Sequence, residues 1–257
     1  MINLLLTGGN GVDALTVVYI GVSVLLGIAV VAALVSQIFV AIGYVKGNRM
    51  QNAAGLSGAE AARKLLDENG MPDVQVKKCT FWRMFFFGNH YSIAKKTVYL
   101  RKYTIDKTSV TSVALAAQKV ALAKQHRDGD KKMIVRGRLQ GLGVFAPVLF
   151  IPLVVIGLAV DLLVTHSFIF TVCAIALGFL FIVFGLVVTV LNIPVEKKAI
   201  VCAEEWLKSE TYLTAEEYAV VKKIYRSYMV QYVMQFVVAL LRILQLILKV
   251  LAKAKRN

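Results

Sequence analysis

The 257-residue chain is 58% hydrophobic with a formal net charge of +15, and its mean hydropathy is +0.68. A soluble domain is nearer half apolar, so a wholly soluble chain is excluded and the apolar excess must sit in blocks. Three cysteines (Cys79, Cys173, Cys202) lack C-x-x-C spacing and an even count. That excludes a disulfide framework and a zinc ribbon and predicts reduced thiols.

In chain order, residues 14–45 carry no charge and exceed the ~20 residues a bilayer-crossing helix needs. No Lys or Arg precedes them and the run is far longer than a secretory h-region, so it reads as a retained anchor. Ser57 and Glu60 make a capping box, with Ala61, Leu65 and Leu66 at helical spacing and Asn69-Gly70 as the stop. After Pro72, residues 74–77 and then 97–101 alternate as half-buried strands that could pair as neighbours. Between them lies an aromatic cluster of Phe81, Trp82, Phe85, Phe86 and Phe87. A second long helix is predicted from Thr108 to His126, with Asp106 as candidate cap. Gly137, Gly141 and Gly143 suit close helix packing.

Residues 142–164, with Asp161 as their one charge, and the uncharged 168–193 are two further spans joined by Thr165, His166 and Ser167. Pro194 is a candidate break before a helix from Lys197 to Ser209, and Thr214 with Glu217 caps another helix. That helix leads into residues 229–251, apolar but interrupted by Gln231, Gln235, Arg242, Gln245 and Lys249.

Charge orients these elements. Between Lys46 and Arg138 there are 19 Lys/Arg against 7 Asp/Glu. Basic residues beside spans favour the cytoplasm: Lys46 and Arg49 follow the first span, and Lys131, Lys132, Arg136 and Arg138 precede the second. The expected division is an anchor (1–45), a basic cytoplasmic domain (46–138), a hairpin (139–193), a cytoplasmic helical segment (194–228) and a terminal helix (229–257). If the terminal helix spans, Lys253, Lys255 and Arg256 lie outside, against the rule; otherwise it lies along the inner interface.

The order of anchor, capped helix, strand pair, Ala-rich helix and paired spans resembles the neutral zinc metallopeptidase (YugP-like) family of bacterial membrane proteins. The resemblance covers nearly the whole chain. It is sharpest in GLSGAEAARKLLDENG at 55–70, with His90-Tyr91, Thr97-Val98-Tyr99-Leu100 and Pro194-Val195-Glu196 in support. It implies an α-helical membrane protein with a small α+β zincin-like cytoplasmic domain and three or four transmembrane helices, in the bacterial cytoplasmic membrane.

The resemblance further implies A-A-H-E-V-G-H-A on the Ala-rich helix. Two His at i and i+4 would bind zinc, a Glu would polarise water, and an acidic residue within a later P-V-E-F-D-A-S segment would be the third ligand. The aligned residues are Gln118, Lys119 and Leu122, while Glu196 stands in the third-ligand region and Lys198 replaces the next acidic position. Leu122 cannot ligate, and Lys119 puts an ammonium where a dication would sit. The resemblance thus predicts a pseudopeptidase with no catalytic residue, metal or other cofactor, and with Lys119 and Glu196 as an ion pair. His90 and His126 read as polar surface or turn histidines rather than a relocated site.

The expected role is scaffold or regulatory subunit for another membrane protein or an active paralogue, with strand addition near 97–101 as the binding surface. Alternatively, the basic domain docks on anionic lipid or an acidic partner. The remotest reading is an active zinc peptidase with a relocated site. The lipid bilayer is a partner in all three; nucleic acid is not expected, since no known module accompanies the charge.

Overall fold

The structure, a computed structural model, describes residues 14–208 and 212–254. Expectations for residues 1–13, Ser209, Lys255 and Arg256, and for the side chains of Gly143 and Lys253, lie outside the described residues.

Helix α1 (Ala14–Arg49) is apolar on every side, with Val17, Ile28 and Phe39 exposed, as suits a helix whose surroundings are lipid. The capping box then starts α2 (Gly58–Glu68), Ser57 and Glu60 each satisfying the other's backbone N–H. Strand β1 (Gln75–Lys78) follows, then α3 (Phe81–Phe86), β2 (His90–Ser92) and β3 (Thr97–Leu100). β1 pairs in parallel with β3 (Gln75 with Thr97) and β2 pairs antiparallel with it (Tyr91 with Val98). The sheet order is therefore β1-β3-β2. This corrects the edge-strand expectation: both sides of β3 are hydrogen-bonded, and the exposed edge belongs to β1.

A short α4 (Lys102–Ile105) leads into α5 (Val110–Arg127). Its cap is Ser109, whose Oγ accepts from Ser112 N–H; Asp106 instead closes α4 and pairs with Lys78 at 3.1 Å. From Val110 to Ala123 every residue of α5 is buried. An Ala- and Val-rich helix buried on every side belongs at the centre of its domain. The sheet and α2, together with α1 and the later helices, surround it.

Helix α6 (Lys131–Val160) continues through a π-helical turn (Asp161–Thr165) and reverses at His166 (φ 47°) into α7 (Ile169–Leu207). Buried Asp161 accepts from the N–H groups of Phe170 (3.1 Å) and Thr171 (2.6 Å), so the one charge of this hairpin satisfies the orphan donors of α7. Close helix packing occurs at Gly157 and Gly178, where an added Cβ would meet Phe170 O and the Phe150 ring. Gly137 instead faces Ile93 of the β2–β3 turn, and a Cβ added at Gly141 would meet nothing within 4 Å among the described residues.

Pro194 does not break α7. It removes one backbone hydrogen bond, but flanking groups are tied to neighbours: Asn192 and Glu196 to Arg136, and the Val195 carbonyl to Gln125.

Helix α8 (Ala215–Ala254) starts at the Thr214–Glu217 box and runs unbroken into the last apolar block. It lies antiparallel along α1: Ile224 sits against Gly43 and Gly47, and Gln245 Nε2 donates to Ser23 Oγ at 2.9 Å. Three described helices are long and apolar enough to cross a membrane (Ala14–Arg49, Ile169–Leu207, Ala215–Ala252), beside the shorter apolar stretch Val148–Val164. Cys79, Cys173 and Cys202 are free thiols.

Candidate functional site

The buried centre of α5 carries two polar side chains, Gln118 and Lys119, on successive residues. Both reach one carboxylate on α7. Gln118 Nε2 donates to Glu196 Oε2 at 2.8 Å, and Lys119 Nζ approaches the same oxygen at 3.3 Å. The other oxygen, Oε1, accepts from Arg136 Nη2 of α6 at 2.9 Å. Arg136 Nε donates to Asn192 Oδ1 at 2.8 Å, one helical turn before Glu196 on α7. Three helices thus meet at one carboxylate.

All three charges are withdrawn from water. Side-chain exposure is 7% for Lys119, 8% for Arg136 and 2% for Glu196. Two cations face one anion, so the ionised cluster carries a net +1. Burial pushes the Lys119 ammonium below its ordinary range; Glu196 opposes that shift and Arg136 adds to it. Arg136 Nη1 is buried and has no hydrogen-bond partner among the described residues. Leu122, one turn after Gln118, is fully buried and lines the same cavity as Lys119 and Glu196.

Lys198 leaves this group. Its Nζ pairs with Asp130 at 2.7 Å near the surface, where Asp130 also caps α6. His90, expected at the surface, is buried against Tyr99 (ring centroids 5.0 Å apart), because β2 packs toward the domain interior. Its Nδ1 lies 2.9 Å from the Gly88 carbonyl, which can only accept, so Nδ1 carries the proton. Burial lowers its pKa. His126 is separate, bonded through Nδ1 to Tyr91 Oη at 2.9 Å. Among the described residues, no three His, Cys, Asp or Glu side chains gather as metal ligands.

Arg136 is the main residue that sequence reasoning missed as part of the site, having counted only toward membrane orientation. The i, i+4 spacing of Asn192 and Glu196 was the available signal, since it places an amide and a carboxylate on one helical face.

Zinc needs three or four donors within bonding reach. Here one carboxylate has both oxygens engaged by an amide, an ammonium and a guanidinium. A dication at Glu196 would sit beside two like charges in a buried site, where repulsion is less screened than in water. The residues present do not fit the ion.

The sequence model of a family described as "Putative neutral zinc metallopeptidase" matches residues 22–251. A relative from Bacillus subtilis (strain 168), "Putative membrane protease YugP", is 24% identical over 217 residues, 83% of this chain and 89% of the relative. No solved structure matches.

Proposed function

The chain belongs to the zinc metallopeptidase family whose sequence model it matches, and we propose that within it this protein is a pseudopeptidase, a membrane scaffold or regulatory subunit without hydrolytic chemistry. The observation that carries this reading is Glu196 held between Lys119 (3.3 Å) and Arg136 (2.9 Å). Peptide hydrolysis on the family pattern needs a metal-bound water and a carboxylate to take its proton. Lys119 occupies the base position, Gln118 and Leu122 the two histidine positions, and both oxygens of the surviving carboxylate are already engaged. These residues hold helices α5, α6 and α7 together instead.

In this reading the basic region 46–138 is a zincin-like domain on the cytoplasmic face of a bacterial membrane, and the 194–228 segment completes its former metal site. Partner binding falls to the β1 edge, where Gln75, Lys77 and Lys78 are exposed and main-chain groups can accept an added strand.

A second reading, docking on a membrane surface, is favoured by α3. Phe81, Trp82 and Phe85 are 68%, 69% and 73% exposed, and Phe86 packs on Phe145 of α6 (5.1 Å), at the start of the apolar block. Aromatic side chains at that level suit the headgroup region.

The test is a cleavage assay in vesicles with the purified full-length protein and a denatured membrane-protein substrate. No cleavage above empty vesicles is expected. Chelator-sensitive cleavage abolished by Glu196→Ala would overturn the proposal.

A further inference from the structure

Two cavities meet at the cationic centre. One, of about 350 Å³, is lined by His90, Lys119, Arg136, Asn192, Glu196 and Tyr232, among others. The other, of about 760 Å³, lies between the apolar helices, with Leu26, Leu34, Phe150, Ile182 and Val238 in its wall beside Gln37, Arg242 and Gln245. Gly185, Thr189 and Gln235 line both, so the polar chamber opens along the apolar groove. Gln235 and Leu246, both in the groove wall, are eleven residues apart on α8, or ~16 Å of helix.

We propose that this composite cavity binds an anionic lipid, its head group in the chamber beside Lys119 and Arg136 and an acyl chain along the groove. The surplus positive charge of the chamber calls for an anion. Arg136 Nη1, buried without a partner among the described residues, would donate to it, and a buried donor left unmade is costly. The chamber also lies at the right depth. Arg136 precedes the apolar block 142–164 and Glu196 follows the block 168–193, which puts the cluster at the membrane–water boundary, where head groups reside. A free phosphate or a peptide carboxylate would satisfy the cations but would leave the groove unused; a lipid uses both. The inference rests on the reading that no metal occupies Glu196.

The experiment is a lipid titration of the delipidated, detergent-purified full chain by native mass spectrometry. The probes are dioleoyl phosphatidic acid, dioleoyl phosphatidylcholine and inorganic phosphate. The expected result is a one-to-one phosphatidic acid complex at least ~tenfold tighter than phosphatidylcholine, a difference of about 1.4 kcal/mol. Arg136→Gln should abolish the preference. Ala239→Phe, which fills the groove and removes no charged group, should weaken both lipids and leave phosphate unchanged, and it carries the test if the Arg136 variant does not fold. Equal binding of the two lipids, phosphatidic acid no tighter than phosphate, or lipid binding indifferent to Ala239→Phe would overturn the inference. Stoichiometric zinc in the same sample would overturn the pseudopeptidase reading with it; failed lipid selectivity without zinc overturns this inference alone.

Discussion

Lys119 Nζ and Glu196 Oε2 lie 3.3 Å apart, on α5 and α7 and 77 residues apart in sequence, with neither side chain more than 7% exposed. Coulomb attraction in such a site is strong, but so is the cost of desolvating both ions. What matters for stability is therefore which partner is removed. Glu196→Ala leaves two buried cations facing each other and should cost about 3–5 kcal/mol. Glu205→Ala, at an exposed position of the same helix, should stay within about 0.5 kcal/mol. Thermal unfolding in detergent reads the difference; equal melting temperatures for the two variants would contradict the paired geometry.

Lys119→Met should behave differently from Glu196→Ala. It removes the surplus charge, replaces an ammonium by an apolar chain of similar length, and leaves Glu196 bonded to Gln118 and Arg136. The expected cost is under about 1 kcal/mol, because apolar replacement of a buried ion escapes the desolvation penalty. A Lys119→Met variant as unstable as Glu196→Ala would show that Gln118 and Arg136 together cannot hold the carboxylate.

Gly58 opens α2 at a close approach. A Cβ there would lie 2.0 Å from Thr104 O and 2.9 Å from its carbonyl carbon, and backbone yields less readily than a side chain. Gly58→Ala should destabilise by about 2 kcal/mol or more. Gly21→Ala on α1, with no neighbour within 4 Å, should cause no loss. Paired melting curves decide it.

Acid should weaken the fold through His90. Burial lowers its pKa; the hydrogen bond to Gly88 opposes this, and Arg83, Lys119 and Arg136 reinforce it. The folded chain therefore binds a proton less readily than the unfolded chain, whose histidine titrates near 6.5. Stability from this source is complete above about pH 6.5 and is lost as pH falls toward the lowered folded value. His126 shifts the same way, chiefly by burial. The drop in melting temperature between pH 7.5 and 5.5 should shrink in His90→Gln. An unchanged drop would assign the effect elsewhere.

Much of this was legible in the chain itself. The capping boxes at Ser57–Glu60 and Thr214–Glu217 are local chemistry, and both form. The uncharged run 14–45 and the buried Ala-rich helix are likewise composition made visible. Long-range contacts were harder to read. Asp106 and Ser109 are both good caps, and only the packing of α4 against α5 selects Ser109. Pro194 reads as a break until the ties from Arg136 and Gln125 to its flanking residues are known. Sheet order is not written in two alternating strands, so β3 looked like an edge. Arg136 looked like one of several membrane-flanking cations because nothing local says that its side chain turns inward to Glu196.

In the reading proposed above, a Lys119–Glu196–Arg136 cluster replaces a zinc site. Metal content of the full-length protein, purified from zinc-supplemented cells without chelator, tests it most directly. Zinc should stay well below ~0.1 per chain, unchanged by Glu196→Ala, because among the described residues no three donors are available to the ion. About one zinc per chain, lost in Glu196→Ala, would contradict it.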